Sequence, residues 1–153
     1  MWDVPKAISI VAGAGEGLTE VNAFDRALLE AGVANLNFIR VTSIFPAGAK
    51  IVPPRQVPAG ALVPAVYTRV VSDRPGDVIA AAVGVGLSRG DFGVIMEYHV
   101  HAPAAAAEAR VRAMVEEAFA IREMALDQIH VRVAEHAVRR CGCAVAAVLF
   151  WPE

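Results

Sequence analysis

Cysteine is scarce in this chain: there are two in 153 residues, Cys141 and Cys143, one residue apart. A disulfide between them would close a very tight, strained ring, so neither a stapled fold nor a secreted disulfide scaffold is indicated. An excess of charge of one sign is also missing. Fourteen basic and 16 acidic side chains leave a net charge of −2, and no basic field points to nucleic acid. Long apolar runs are absent as well. The longest weakly polar stretch, Cys141 to Pro152, falls short of the roughly 20 residues that a spanning helix needs. Met1-Trp2-Asp3-Val4-Pro5 carries neither the cationic start nor the apolar segment of an export signal. These absences predict a cytoplasmic, globular protein with no nucleic-acid or membrane partner.

What is present is apolar. Hydrophobic residues make up 56% of the chain and charged residues 20%, an excess that calls for a deeply buried sheet or a protein–protein interface. The length suits one domain. After Pro103, a residue favoured at a first helical position, apolar residues at Val111, Met114, Val115, Ala118 and Phe119 predict a helix lying on a core, with Arg110, Arg112, Glu116, Glu117 and Glu123 on the other face. A shorter helix is predicted over Asn22 to Ala31, capped by Asn22 and stopped by Gly32. Strands are predicted at Ile8–Val11, Leu36–Phe45, Leu62–Val71, Val78–Leu87, Val94–Val100, Ile129–Val138 and Cys143–Phe150. Pro46 to Pro64, with five prolines and two glycines, is the one long irregular connection. The pattern predicts an α+β fold, a layered sandwich of mainly antiparallel sheets with helices outside (αββα-like).

Several familiar signals fail on inspection. Gly13-Ala14-Gly15-Glu16-Gly17 invites a dinucleotide reading, but Leu18 stands where the fingerprint needs glycine or alanine. A tight turn at the start of a substrate pocket is the reading preferred for it. His99 and His101 would share a strand face, yet two imidazoles without a third ligand make a poor zinc site, and Cys141 and Cys143 are too close for a zinc knuckle. No metal is expected. His136 reads as a packing or strand-edge residue, and no Gly-x-Ser-x-Gly elbow occurs.

One stretch stands apart: Asn35-Leu36-Asn37-Phe38-Ile39-Arg40-Val41-Thr42-Ser43-Ile44-Phe45-Pro46. Alone, Thr42-Ser43 is a pair of small hydroxyls near a strand end. Its setting adds Asn22-Ala23-Phe24-Asp25-Arg26-Ala27-Leu28-Leu29-Glu30-Ala31-Gly32 upstream. Downstream come Leu62-Val63-Pro64-Ala65, Ile95-Met96-Glu97-Tyr98, Glu135-His136 and Gly142-Cys143-Ala144. In this order and spacing the blocks resemble the pyruvoyl-dependent arginine decarboxylase family, from about Ile8 to Trp151.

The resemblance implies a proenzyme. Members cleave before a serine in a Ser-Ser or similar pair, and here Thr42 replaces the first member, supplying only the carbonyl under attack. Ser43 Oγ would shift the peptide to an ester, elimination would leave dehydroalanine, and hydrolysis with loss of ammonia would leave a pyruvoyl group. Residues 1–42 would then form the β chain and residues 43–153 the α chain of a single domain. The covalent pyruvoyl group is the implied cofactor, and L-arginine, converted to agmatine and carbon dioxide, the implied substrate. Asp25 matches the acid that pairs with the guanidinium, Glu97 the proton donor, and Asn37 a further substrate-binding residue. In a run as apolar as Gly93 to Tyr98, desolvation would favour a protonated Glu97. Asn37 and Ser43 are six apart, hence on one face but about 20 Å apart on a straight strand. Members are trimers with sites between subunits, so a homotrimer is implied, in which Asn37 serves its own or a neighbouring site. Two alternatives stay open: a pyruvoyl decarboxylase of another amino acid, and an unprocessed, non-catalytic homologue with a structural or regulatory role.

Overall fold

A computed structural model of the chain describes residues 3–153. Strand β1 (Ala7–Glu16) leads into helix α1 (Glu20–Glu30), followed by β2 (Asn37–Arg40), β3 (Ile44–Phe45) and β4 (Lys50–Ile51). Then come β5 (Leu62–Ser72), β6 (Val78–Leu87), β7 (Gly93–Val100), α2 (Ala104–Ile121), β8 (Gln128–Ala137) and β9 (Gly142–Phe150). One sheet has the order β2-β5-β9-β1-β4 and the other β3-β7-β6-β8. The long strands pair antiparallel, while the short β2 and β4 run parallel to β5 and β1. This is the predicted αββα sandwich.

Period-two alternation explains the layers. Ile8 and Ile10 of β1, Val66 and Val70 of β5, Val83 and Val85 of β6, Ile95 of β7 and Val148 of β9 point inward and form one core between the sheets. The opposite face of the five-stranded sheet packs on Ala23 and Ala27 of α1. The opposite face of the four-stranded sheet receives Val111, Val115 and Phe119 of α2. Burying each of these last three side chains contributes about 1.5–3 kcal/mol. β6 and β9 lie inside their sheets and are covered on both faces, so they read as near-continuous apolar runs.

Four local expectations are corrected. Gly13–Gly15 is not a turn but part of β1, which runs on to Glu16. A Cβ at Gly13 would lie 2.5 Å from the Ala27 carbonyl oxygen and 2.7 Å from the Ala31 nitrogen, so glycine serves there to let α1 approach. Helix α1 is capped by Thr19, whose hydroxyl accepts from the Asn22 N–H, and Asn22 lies inside the helix. Asp25 therefore sits mid-helix, beyond the first turn where the macrodipole would favour it. Pro103 is the N-cap of α2 rather than its first residue. Finally, Leu36–Phe45 is not one strand: β2 ends at Arg40, β3 begins at Ile44, and residues 41–43 carry the chain from one sheet to the other.

Candidate active site at the sheet crossover

The crossover leaves two strand edges open. β2 covers only Leu62–Ala65 of β5, and β3 covers only Gly93 and Val94 of β7. Beyond them the outer edges of β5 and β7 have no strand partner among the described residues. Val41 N–H still donates to the Ala65 carbonyl (3.1 Å), and on the other sheet Ile95 N–H donates to the Ser43 carbonyl (2.7 Å). The Thr42–Ser43 bond thus spans the two sheets, with one side anchored to each. Thr42 is exposed and Ser43 half-buried.

Between the open edges lies a cleft of about 510 Å³ lined by Arg40, Tyr67, Thr68, Arg69, Glu97, Tyr98 and His99. Glu97 is two residues beyond Ile95 on β7, on the same inward face, about 7 Å further along the strand. His99 follows on that face. Across the cleft, Thr68 sits between inward-facing Val66 and Val70 on β5, and its hydroxyl meets His99 Nδ1 at 2.7 Å. Arg40 covers the β5 edge: its Nη1 donates to the Tyr67 carbonyl at 2.8 Å, and its guanidinium lies 4.0 Å from the Tyr67 ring centre. Burial raises the Glu97 carboxyl above its ordinary value, and the Arg40 charge opposes that rise.

Of the residues singled out in the sequence, Ser43, just before β3, is bonded to Ile95 of β7, and Glu97 stands two residues further along that strand. Asp25 and Asn37 do not join them. Asp25 is exposed on α1, on the outer layer of the five-stranded sheet. Asn37 opens β2 and donates from Nδ2 to the Gly60 carbonyl (3.0 Å). Arg40 and Thr68 were not marked by the sequence, and His99 was weighed only as a metal ligand, although it stands two residues from Glu97, which strand periodicity places on the same face.

The other polar clusters are built differently. His101 Nδ1 and the Ser72 hydroxyl both address Asp77 Oδ2, at 2.9 and 2.7 Å, so the serine and imidazole meet the carboxylate rather than each other and form no nucleophile–base pair. His99 and His101 take separate partners, and among the described residues no three His, Cys, Asp or Glu side chains gather as metal ligands. His136 pairs with Glu16 on the far end of β1. Cys141 and Cys143 are free and buried, and burial pushes the Cys143 thiol up to about 12.

The chain thus crosses between its two sheets at the Thr42–Ser43 bond, one strand pair away from the half-buried Glu97. Comparison with known proteins identifies the class. The family model described as pyruvoyl-dependent arginine decarboxylase matches residues 7–153. The protein named pyruvoyl-dependent arginine decarboxylase in Methanocaldococcus jannaschii is 45% identical over 152 residues, covering 98% of this chain and 92% of that one. Its namesake in Pyrococcus furiosus is 42% identical over 155 residues, covering 99% and 98%. That of Pyrococcus abyssi is 43% identical with the same coverage. The chain belongs to the pyruvoyl-dependent arginine decarboxylase family.

The family's prosthetic group is a pyruvoyl derived from the protein itself, and Ser43 fits it. The bond before Ser43 lies outside either strand ladder, while the anchors at Val41 and Ser43 would hold both new ends after a cut.

Proposed function

We propose that the chain cleaves itself between Thr42 and Ser43, into residues 1–42 and 43–153 of one domain, and decarboxylates L-arginine to agmatine and carbon dioxide. The observation that carries this reading is the crossover itself, which sets the Thr42–Ser43 bond between two sheets and puts Glu97 along the strand that holds the Ser43 carbonyl. A pyruvoyl carbonyl at position 43 supplies an electron sink for the substrate α-carbon. The chain's own residues do the rest. Glu97, kept protonated more readily by burial, delivers a proton to the α-carbon once carbon dioxide has left. Asp25 pairs with the guanidinium, a cation whose planar donors match a carboxylate, and Asn37 assists in holding the substrate.

The separation of Asp25 and Asn37 from Ser43 within one chain supports a homotrimer of processed αβ protomers with sites completed between subunits. The exposed Leu18 and Val21 at the start of α1 and Leu62 at the start of β5 are apolar surface for such an interface. A cytoplasmic location is part of this reading; no helix among the described residues is long and apolar enough to cross a membrane. Intact mass and denaturing electrophoresis test the reading. The parental protein should give two chains in place of one at 16.1 kDa, and Ser43→Ala should stay whole because no nucleophile remains. Cleavage of Ser43→Ala at the same bond would refute self-processing through Ser43.

A further inference from the structure

We infer that His99, seated by Thr68, is the entry point through which Glu97 regains its proton from water. The inference rests on the decarboxylase reading above. Converting arginine to agmatine and carbon dioxide consumes one proton per turnover, so Glu97 ends each cycle as a carboxylate and must be reprotonated. Glu97 is half-buried, whereas His99 is exposed, two residues along the same face of the same open strand edge and lining the same cleft. Their spacing of about 7 Å along the strand can be bridged by the two side chains or by one water. Thr68, 7% exposed, fixes the imidazole through Nδ1 and leaves Nε2 free for the cleft. Histidine is the side chain whose ordinary titration suits such a transfer near neutrality. In the step, the imidazolium Nε2–H bond breaks and a Glu97 O–H bond forms. The neutral ring keeps Nδ1–H toward Thr68 Oγ1 and then takes a proton from water at Nε2. The other charged groups of the cleft are Arg40 and Arg69, both cations. On the neighbouring strand β6, Glu97 faces Val83 and His99 faces Ala81, neither ionisable. The Tyr98 side chain packs on the α2 side of β7.

The test uses processed protein, with agmatine formation followed from about pH 5 to 8. His99→Ala should cleave itself normally, keep its KM for arginine and lose about tenfold in kcat, less than the 10²–10⁴ of a direct general acid. The loss should shrink as the pH falls, because water then protonates Glu97 unaided, and added imidazole should restore turnover. Thr68→Val should show a smaller loss of the same shape, with Thr68→Ser close to parental. A pH profile parallel to the parent, a loss that imidazole does not relieve, or a change in KM alone would overturn the relay. Should His99→Ala fail to cleave, His99→Gln carries the same test, and failure of both would assign His99 to cleavage instead. A parental enzyme that releases no carbon dioxide from arginine would refute the decarboxylase reading itself, which separates the two failures.

Discussion

Glu16→Gln is a perturbation whose size follows from the structure. Glu16 ends β1, and its carboxylate accepts from His136 Nε2 (2.5 Å) and from the backbone N–H groups of Arg139 (3.3 Å), Arg140 (2.8 Å) and Cys141 (3.3 Å). One side chain thus fastens the β8–β9 turn to the end of β1. Burial alone would raise its pKa, but the hydrogen bonds from His136, Arg140 and Arg139 outweigh burial and bring it to about 2, from 4.5. That displacement corresponds to at most about 3 kcal/mol, and solvent screening at this rim position reduces it to about 2 kcal/mol. Because the folded pKa is depressed, the stabilisation is complete above about pH 4.5 and disappears as the pH falls through about 2. Glutamine keeps an acceptor but no charge and turns an amide donor toward the same N–H groups. Glu16→Gln should therefore melt about 4–8 °C below the parent at neutral pH, at about 2–4 °C per kcal/mol for a chain of this size. The gap should close progressively below about pH 4.5. Thermal unfolding at a series of pH values reads both features, and a gap that persists unchanged to about pH 2 would refute the electrostatic account.

Glu97→Gln should still yield two chains, since glutamine fills the same volume, while turnover falls by roughly 10²–10⁴, the range for a lost general acid. Near-parental turnover in the processed variant would remove Glu97 as the proton donor. Asp25→Asn should process normally and bind arginine much more weakly, because a charge-assisted hydrogen bond is about twice as strong as a neutral one. An unchanged affinity, measured by steady-state kinetics, would move the guanidinium site elsewhere. Gly13→Ala should cost about 1–3 kcal/mol by forcing a methyl group against the backbone of α1. A melting temperature equal to the parent's would mean that the helix can shift outward freely.

The layers of this fold were legible because each element repeats its own period. Val78–Leu87 is recognisable to the residue, since it is covered on both sides and interrupted by no polar position. α2 announces itself by apolar residues at helical spacing. What escaped were features in which one residue type answers to two physical demands. Glycine at 13 and 15 signals a turn and also permits close packing, and only α1, folded back onto β1, decides which. Thr19 and Asn22 are both good caps, three residues apart, and their side chains bond each other, so composition alone cannot rank them. The break after Arg40 is hidden for a related reason. Val41 and Phe45 both pack on the core between the sheets, so the inward alternation continues across the crossover although the chain changes sheet.

The candidate site divides along the same line. Strand parity alone left the facing of Glu97 open; Ile95, buried in the core between the sheets two residues earlier, settles that it points inward. The Thr68–His99 contact joins residues 31 apart on different sheets, and no local pattern carries such information. Asp25 and Asn37 were identified through resemblance, and the folded chain alone gives them no path to Ser43. A sandwich that leaves β5 and β7 unpaired just past the crossover exposes the backbone groups that an incoming segment would need, and unpaired edges are ordinarily covered or capped. Arg40 caps the first free carbonyl of β5, at Tyr67. The same guanidinium opposes the rise of the Glu97 pKa. Edge protection and the tuning of Glu97 therefore fall to one side chain, so replacing Arg40 would disturb the strand edge and the Glu97 carboxyl together, whereas Glu97→Gln separates them.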